Sequence, residues 1–360
     1  MHLLHVVGAR PNFMKAAPVM AALSKRSMTQ TLVHTGQHYD ANMSEVFFQQ
    51  LGMPKPDVNL EVGSGSHAVQ TAEVMVRLEK VLQERKPDWV VVYGDVNSTL
   101  AAALVCAKLR IRVAHVEAGL RSGDRSMPEE INRLVTDQIA DLLFTPSIDG
   151  NENLAREGVG PEKVHLVGNV MIDTLVRLLP LCGDSLGHAD LSRWQDRRYM
   201  LVTLHRPSNV DDPALLGQII NVLLELSADI AVLFPIHPRT RAQIERLAIL
   251  GTTGNLHLLH PLGYMEFLAL QSKAALVITD SGGIQEETTF LGIPCLTVRA
   301  NTERPVTVSV GTNILVGQDA NRLRDEAARI LRGGSKKGAI PPLWDGRASE
   351  RIADILAATG

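Results

Sequence analysis

The sequence of 360 residues has few of the features that build disulfide frameworks, metal sites or nucleic-acid surfaces. Its three cysteines, Cys106, Cys182 and Cys295, are far apart and lie in or beside apolar segments. This spacing predicts reduced core thiols and argues against a disulfide framework or a cysteine zinc site. The formal net charge is −3 and the pI is near 6.5. No basic surface for nucleic acid or an anionic membrane is therefore expected.

Long hydrophobic runs are also missing. No apolar run approaches the roughly 18 residues that cross a membrane. The segment 1–7 leads directly into a turn at Gly8, which predicts a first strand and not a signal peptide. The 12 histidines show no ligand spacing such as His-Glu-x-x-His, so we expect no metal and no cofactor. We expect a cytoplasmic protein without membrane or nucleic-acid partners.

Apolar strand segments alternate with helical segments along the chain, which predicts parallel sheets with helices on both faces. A chain of 360 residues should form two domains. We therefore predict an α/β fold with two doubly wound, Rossmann-like domains that face a central cleft, where such folds bind ligands. The predicted strands lie near residues 2–7, 30–35, 88–93, 111–116, 141–145, 163–167, 199–203, 230–235, 255–259, 274–279 and 294–298. The predicted helices include 12–26, 41–51, 67–86, 98–109, 213–227, 239–248, 264–272, 283–291 and 347–358.

Charged residues follow several predicted strands of the first half. Arg10 and Lys15 follow the first strand, in a turn that has neither the Gly-x-Gly-x-x-Gly fingerprint nor a phosphate-loop signature. Two cations there indicate either a bound anion or two solvated surface charges. Asp95 and Glu117 follow two later strands, where acids are costly as structure and useful as general acid or base. Asp95 could instead cap the helix that starts near Asn97.

Glu129 has a strong structural interpretation. Ser126, Pro128 and Glu129 have the spacing of a capping box, with Ser126 as the N-cap and Glu129 at the third helical position. Arg133, one turn later, can pair with Glu129 or Glu130. These residues alone therefore assign Glu129 a structural role.

A glycine-rich turn joins a strand to a helix in the second half of the chain. Segment 274–278 predicts a buried parallel strand, Ser281 suits the N-cap of the next helix, and Gly292 ends that helix. Such an N-terminus binds anions, because unpaired N–H groups and the helix dipole act together. Glu287 should face inward, either as an incidental acid or as a ligand of a ribose diol.

His205 and Arg206 follow the predicted strand 199–203, at the same topological place in the second domain. A His-Arg pair at a strand end could hold a pyrophosphate and stabilise its charge as it leaves.

Seven motifs occur together and in order. They comprise Gly8-Ala9-Arg10-Pro11 with Lys15, Gly94-Asp95, His115-Val116-Glu117-Ala118-Gly119-Leu120-Arg121, Pro128-Glu129-Glu130 with Asn132-Arg133, Thr203 with His205-Arg206, Asp280-Ser281-Gly282-Gly283-Ile284-Gln285-Glu286-Glu287, and Thr302-Glu303-Arg304-Pro305. The series closely resembles the non-hydrolysing UDP-N-acetylglucosamine 2-epimerases over nearly the whole chain. The resemblance implies the glycosyltransferase-B fold, with a catalytic N-terminal domain at 1–170, a UDP-binding domain at 171–344, and a C-terminal helix at 345–360 that packs back on the first domain.

The resemblance also implies a reaction: reversible inversion at C2, from UDP-GlcNAc to UDP-ManNAc, through elimination of UDP to a glycal and readdition. Asp95, Glu117 and Glu129 match the family's catalytic acids, and His205 matches the histidine that stabilises charge on departing UDP. Glu129 is thereby assigned to catalysis, with capping as a possible second task. The UDP-binding candidates are Arg10, Lys15, Arg133, His237, Ser281, Gly282, Gly283, Glu287 and Arg304.

The chain departs from the commonest bacterial members at three places. The first two leave the exact sugar open, and the third calls into question a site for an activating UDP-GlcNAc. Asn12 stands where those members have Glu, the motif 205–209 lacks a second arginine, and segment 37–43 carries one residue more than their site for an activating UDP-GlcNAc. A 2-epimerase of UDP-2,3-diacetamido-glucuronic acid or of another modified sugar is therefore an alternative, and a hydrolysing relative stays open.

Two other classes of protein fit parts of the pattern. A glycosyltransferase of the same fold would need only one base, and a non-catalytic nucleotide-sugar sensor would need none of the acids. The family further implies a homodimer and a role in bacterial or archaeal surface polysaccharide synthesis.

Overall fold

The computed structural model describes residues 1–37, 48, 50–183, 191–236, 238–246 and 254–359. The chain divides into two units, which we call unit 1 (Met1–Thr174 with Pro342–Gly360) and unit 2 (Leu175–Pro341). Each unit contains one parallel β-sheet with its helices. The predicted α/β class with two doubly wound sheets is confirmed.

Unit 1 is built on a seven-stranded sheet with the strand order β3-β2-β1-β4-β5-β6-β7, in which every pair is parallel. Its strands are β1 (His2–Val7), β2 (Thr29–His34), β3 (Val58–Asn59), β4 (Trp89–Tyr93), β5 (Arg112–Val116), β6 (Leu142–Thr145) and β7 (Val164–Leu166). Its helices are α1 (Arg10–Ser24), α2 (His67–Arg85), α3 (Asn97–Leu109), α4 (Pro128–Ile139), α5 (Ile148–Arg156), the 3₁₀ helix Pro161–Lys163, and α6 (Val170–Leu178), which runs on into unit 2.

Unit 2 contains a six-stranded parallel sheet with the order β10-β9-β8-β11-β12-β13. Its strands are β8 (Tyr199–Thr203), β9 (Ala231–Pro235), β10 (Leu256–Leu259), β11 (Leu276–Thr279), β12 (Cys295–Thr297) and β13 (Asn313–Leu315). Its helices are α7 (Pro207–Val210), α8 (Pro213–Leu226), α9 (Pro238–Arg246), α10 (Tyr264–Gln271), α11 (Gly282–Leu291), α12 (Pro305–Ser309) and α13 (Ala320–Leu331), with 3₁₀ turns at Leu179–Leu181 and Ser192–Trp194. The last helix, α14 (Ala348–Ala358), belongs to unit 1.

The central strands of both sheets form where short apolar runs, many of them rich in β-branched residues, are buried on both faces, as is typical of a parallel sheet. In β4 the run Trp89–Tyr93 is buried at every position. The predicted strands agree with the structure to within two residues at each end. Sequence analysis missed β3 and β13, which are two and three residues long and too short to show a pattern. Most of the predicted helix 41–51, and the end of the helix predicted at 239–248, lie outside the described residues.

The strand order of each sheet reverses at one place, between β1 and β4 in unit 1 and between β8 and β11 in unit 2. At such a switch point the loops leave in opposite directions, and the carboxyl ends of the two strands open onto a crevice that binds ligands. The segments that follow these four strands are 8–10, 94–95, 204–206 and 280–282. Most of the residues singled out from the sequence therefore lie at or near the two switch points.

The C-terminal segment is held by polar contacts inside unit 1. The carboxylate of Asp173 accepts the N–H groups of Ala348 and Ser349 at 3.1 and 2.7 Å, which caps α14. The indole of Trp344 donates to the carbonyl of Pro146 at 2.9 Å. Among the described residues no helix is long and apolar enough to cross a membrane. Cys106, Cys182 and Cys295 are buried free thiols, as predicted.

Candidate active site

Asn12 ties together the two strand ends at the switch point of unit 1. Its side-chain oxygen accepts the N–H groups of Gly8 and Ala9 at 3.1 and 3.0 Å, and its nitrogen donates to the carbonyl of Tyr93 at 2.8 Å. The residue is 1% exposed. A short amide with both a donor and an acceptor is what this bridge needs. Asn12 thus fixes the turn that carries Arg10, which is itself exposed.

Glu117 has a backbone conformation that is rare for a residue with a side chain. It follows β5 with a φ of +73°, which costs about 1–3 kcal/mol and tends to occur at functional sites. Its carboxylate, 3% exposed, forms an ion pair with Lys15 Nζ at 2.7 Å. A Cβ added at Gly94, where φ is +63°, would lie 2.6 Å from the same Nζ. A side chain at Gly94, the residue after β4, would therefore displace the Lys15 amine from its contact with Glu117.

Asp95 does not cap a helix, so that alternative was wrong. The N-cap of α3 is Val96, without a side-chain hydrogen bond. Instead, the Asp95 carboxylate is ion-paired with Arg133, and its backbone carbonyl accepts from Asn132 at 2.8 Å. Its side chain is 25% exposed, so the carboxylate is held on one side and open on another.

Arg133 is 1% exposed and also forms an ion pair with Glu130. Of the two partners that the sequence offered, Glu129 and Glu130, it is therefore Glu130 that pairs with Arg133. Its Nη2 and Nε lie 2.6 and 3.1 Å from the Glu130 carboxylate. Burial alone would raise the pKa of Glu130, but the N–H of Ser122 and the charge of Arg133 lower it overall. Arg133 therefore lies between two acids and holds α4 against the end of β4.

The capping box predicted at Glu129 is wrong. Helix α4 begins at Pro128 with Met127 as the N-cap, and no side chain caps it. The Ser126 hydroxyl donates to Asp124 at 2.6 Å and is unavailable to the helix. Glu129 is half-buried and makes no side-chain hydrogen bond or ion pair to a described residue. Within the part of the chain that the structure describes, the Glu129 carboxylate therefore neither caps a helix nor pairs with a cation.

A buried ionic network that the sequence analysis missed joins the two acid-bearing loops. His115 Nδ1 lies 2.6 Å from the Asp137 carboxylate, and His115 Nε2 lies 2.8 Å from the carbonyl of Gly94. Asp137 also accepts the N–H of Gly119 at 3.0 Å and pairs with Arg121 at 2.7 Å. Burial alone would raise the pKa of Asp137, yet the charges of His115 and Arg121 lower it. The network fixes the backbone directly before Asp95 and just after Glu117.

In unit 2, Ser281 is the N-cap of α11 and Gly292 its left-handed C-cap, as predicted. The Ser281 hydroxyl makes no capping hydrogen bond, so the N–H groups at Gly282 and Gly283 keep the polarity of a helix N-terminus. A Cβ at Gly282 would lie 2.4 Å from Arg304 Nη1. The Arg304 guanidinium therefore packs directly on the start of this helix.

Two buried acids hold the Arg304 side chain. Its Nε pairs with Glu286 and its Nη1 with Glu303, both at 2.8 Å. Glu303 also pairs with Arg299 at 2.8 Å. Although burial alone would raise the pKa of Glu303, the charges of Arg304 and Arg299 hold it far below its ordinary value. The arginine is thus fixed in place beside a turn suited to anions.

Glu287 is buried on the inner side of α11, at 2% exposure. It accepts hydrogen bonds from the Tyr264 hydroxyl at 2.9 Å and the Gln271 amide at 3.0 Å. Burial raises its pKa to about 7, although both hydrogen bonds lower it. Neither partner is a cation, so this acid has the environment expected of a ligand-binding carboxylate and not that of an ion-pair member.

His205 lies beside the same turn, held by Asp280. The carboxylate of Asp280 accepts the N–H of His205 at 3.1 Å and that of Arg206 at 2.9 Å, and it lies 2.9 Å from His205 Nδ1. The side chain of His205 is 59% exposed, whereas that of Asp280 is 0% exposed. The imidazole of His205 is therefore exposed to solvent, whereas the Asp280 carboxylate that holds it is buried. Asp280 belongs to the sequence motif, but the sequence alone does not indicate this contact with His205.

Two predicted features lie outside the described residues: His237 and most of segment 37–43. Among the described residues there is no group of three or more His, Cys, Asp or Glu side chains that could hold a metal ion.

The chain is similar to known proteins over nearly its whole length. A family model described as UDP-N-acetylglucosamine 2-epimerase matches residues 21–357. The UDP-N-acetylglucosamine 2-epimerase of Methanocaldococcus jannaschii is 43% identical over 363 residues, with 99% of each chain covered. The chain belongs to the UDP-N-acetylglucosamine 2-epimerase family.

Further comparisons agree with this family. The crystal structure of the M. jannaschii UDP-GlcNAc 2-epimerase, in complex with UDP-GlcNAc and UDP, matches with a TM-score of 0.90 at 42% identity and covers 99% of this chain and 100% of that one. The UDP-2,3-diacetamido-2,3-dideoxy-D-glucuronate 2-epimerase of Pseudomonas aeruginosa is 44% identical over 361 residues, with 99% of each chain covered. The predicted family, the glycosyltransferase-B fold and the isomerase class are confirmed.

Proposed function

We propose that this epimerase interconverts UDP-GlcNAc and UDP-ManNAc by elimination of UDP and readdition. The observation that carries the proposal is a set of three acids in unit 1: Asp95 after β4, Glu117 after the neighbouring strand β5, and Glu129 in the first turn of α4, which contacts β5. Asp95 is paired with Arg133 and Glu117 with Lys15, while Glu129 makes no polar side-chain contact to a described residue. An inversion at C2 needs acid–base groups on both faces of the sugar, and a glycosyltransferase or a sensor does not.

The proposed reaction balances without a cofactor. A carboxylate takes the proton from C2, the electron pair forms the C1–C2 double bond, and the C1–O bond breaks to release UDP. In the second half the UDP oxygen returns to C1, and a carboxylic acid delivers a proton to the opposite face of C2. The C2 proton has no neighbouring carbonyl to acidify it. Stabilisation of the charge that develops on the departing UDP must therefore lower the activation barrier of the elimination.

Unit 2 supplies the groups that suit the UDP part of the substrate. The N-terminus of α11 at Ser281–Gly283 and the fixed Arg304 suit the pyrophosphate. Glu287 suits the two ribose hydroxyls, and His205 suits the oxygen that carries charge as UDP leaves. We also propose that Arg10 contacts a phosphate, as its match to the family motif suggests.

The sugar itself has two candidates. The N-acetylglucosamine and diacetamido-glucuronate relatives are 43% and 44% identical to this chain, so overall identity does not separate them. UDP-GlcNAc is the first choice because the family model and the M. jannaschii structure both name it. A role in surface polysaccharide synthesis, in the cytoplasm and as a homodimer, stays part of the proposal.

The test is proton NMR of the purified enzyme with UDP-GlcNAc in D₂O. We expect the C2 epimer to appear with deuterium at C2. Free sugar and UDP as products would replace the proposal with a hydrolysing enzyme. Absence of exchange with UDP-GlcNAc, together with exchange in UDP-2,3-diacetamido-glucuronic acid, would transfer the proposal to that sugar.

Binding of the substrate should release a proton from Glu287. Two ribose hydroxyls need an ionised acceptor, and the pKa of Glu287 is raised to about 7. The Kd for UDP-GlcNAc should therefore rise about tenfold for each pH unit below 7. Both epimers carry the same pyrophosphate diester, which takes up no proton near pH 7, so turnover leaves the proton count unchanged. Binding calorimetry in buffers of different ionisation enthalpy measures the number of protons released when the substrate binds.

Glu287→Gln is the matched control, because it keeps the size of the side chain and cannot ionise. It should bind more weakly and release no proton, whereas equal proton release in both proteins would exclude Glu287 as the source. In the free protein, Glu287 changes the pH dependence of stability in the opposite direction to an ion-paired acid. Because the folded-state pKa is raised, the contribution of this group to stability is present below pH 4.5 and is lost as the pH rises through about 7.

A further inference from the structure

Asp280 is a buried carboxylate whose position is not explained by an ion pair with arginine or lysine. Its side chain is 0% exposed, and such a charge is costly unless hydrogen bonds and a counter-charge compensate it. No arginine or lysine among the described residues pairs with it. Its side-chain partners are Asn209 at 3.0 Å and His205 Nδ1 at 2.9 Å, in addition to the N–H groups of His205 and Arg206.

The other charged side chains near the loop that carries His205 pair with one another and not with Asp280. Arg206 lies 3.7 Å from Glu303, which is also paired with Arg299 and Arg304. His205 is therefore the one titratable side chain in the described part of this loop that faces Asp280. When its imidazole carries a positive charge, that charge lies directly on a buried anion.

The contact decides which ring nitrogen is left for the substrate. An ionised carboxylate only accepts hydrogen bonds, so Nδ1 of His205 must be the donor. Nε2 makes no hydrogen bond to a described residue and points away from the anchor. A further proton on the ring can therefore reside only on Nε2, where it can be donated to an anion.

We propose that Asp280 is a positioning residue that fixes His205 as the Nδ1–H tautomer and stabilises its imidazolium when Nε2 gives a hydrogen bond to the departing phosphate. The proposal rests on the proposed function for its catalytic consequence. The hydrogen bonds that define it are present in the free protein. Asp280 also lies between β11 and the N-cap Ser281, so the same residue fixes His205 beside the anion-binding turn.

The first test is the tautomer of His205, read from long-range ¹H–¹⁵N spectra of protein labelled at histidine and assigned with His205→Gln. At pH 8 and without substrate we expect Nδ1 to be protonated and Nε2 to be bare. Asp280→Asn should shift the ring toward the Nε2–H tautomer. A wild-type ring with Nε2–H would overturn the proposal, whether or not the protein is an epimerase.

The second test is kinetic and uses C2 exchange in D₂O. Asp280→Asn should lower kcat by about 10²-fold or more and change KM by less than about threefold, because the pyrophosphate turn remains. In the His205→Gln background the same substitution should have little further effect, since Asp280 acts through His205. An equal loss in both backgrounds would assign Asp280 a structural role and overturn the proposal.

Asp319→Asn is the matched control. Asp319 also accepts two backbone N–H groups, those of Asn321 and Arg322 at 2.9 and 3.0 Å, but it caps α13 and does not contact a histidine. This variant should lose a little stability and keep its rate and the His205 tautomer. If Asp280→Asn fails to fold, the wild-type spectrum still decides the tautomer.

Discussion

Replacing Glu117 by Gln should lower the rate of C2 exchange by about 10²–10⁴-fold, the usual contribution of a general acid or base. The amide keeps the size of the side chain and still offers Lys15 a hydrogen-bond acceptor, so unit 1 should stay folded. The carboxylate that takes or delivers the proton is lost. Asp95→Asn and Glu129→Gln should show losses of the same order, because inversion needs groups on both faces of the sugar.

Binding and catalysis should separate in these variants. The UDP-binding candidates of unit 2 are untouched, so the Kd for UDP should change by less than about threefold, measured by calorimetry. The matched control is Glu73→Gln, which removes an exposed carboxylate that pairs with Arg77 and should keep both rate and affinity. Exchange that persists in Glu117→Gln and Glu129→Gln would remove these acids from the mechanism and favour a reaction with a single base.

The two faces of the sugar can be distinguished in the same experiment. If one acid serves each face, its variant should still exchange the C2 proton of one epimer more readily than that of the other. Starting the reaction from UDP-GlcNAc and from UDP-ManNAc therefore assigns each acid to a face. Equal losses from both directions would mean that the acid acts in both half-reactions.

The sequence predicted the strands of this fold because each is a short buried run that ends at a turn. It also predicted which side chains follow these strands, and parallel pairing places such positions at one edge of a sheet. Asp95 and Glu117 follow β4 and β5, as predicted, and the structure adds that these two strands are neighbours in the sheet.

Contacts between distant parts of the chain could not be predicted in this way. Asp137 lies 22 residues from His115, and Asp280 lies 75 residues from His205. No periodic pattern connects such pairs, since their contact depends on how helices and loops pack on the sheet. The family resemblance named the residues expected to touch the substrate and said nothing of the buried groups that hold them.

The error at Glu129 has a local cause. Asp124 accepts both the N–H and the hydroxyl of Ser126 at 3.0 and 2.6 Å, so the expected capping residue is used in a turn before the helix. The acid that folds back is Glu130, which accepts the N–H groups of Ser122 and Gly123. Two adjacent acids offered the same spacing to within one residue, and tertiary contacts decided between them.

The largest loss of stability is expected for Asp137→Asn. The Asp137 carboxylate is fully buried, pairs with the Arg121 guanidinium and lies 2.6 Å from His115 Nδ1. Removing one partner of a buried ionic network leaves the others uncompensated and costs about 3–5 kcal/mol. Multi-domain chains often unfold in more than one step, so the loss should be measured locally, by hydrogen exchange of the amides in β4 and β5.

Glu157→Gln is the matched control, because Glu157 pairs with the same Arg121 at 2.7 Å but is 25% exposed. Water screens this pair, so the variant should lose about 1 kcal/mol or less. Equal losses in the two variants would mean that Asp137 contributes no more than a surface ion pair.

The pH dependence of this stability follows from the lowered pKa of Asp137. A lowered folded-state pKa means that the contribution is complete above the unfolded value of 3.8 and is lost as the pH falls through the lower folded value. Asp137→Asn should therefore be less stable than the wild type at pH 7 and should show a shallower acid limb below pH 4. Because His115 holds the carbonyl of Gly94, the same variant should also lose C2 exchange, whereas a variant that lost stability alone would separate this network from catalysis.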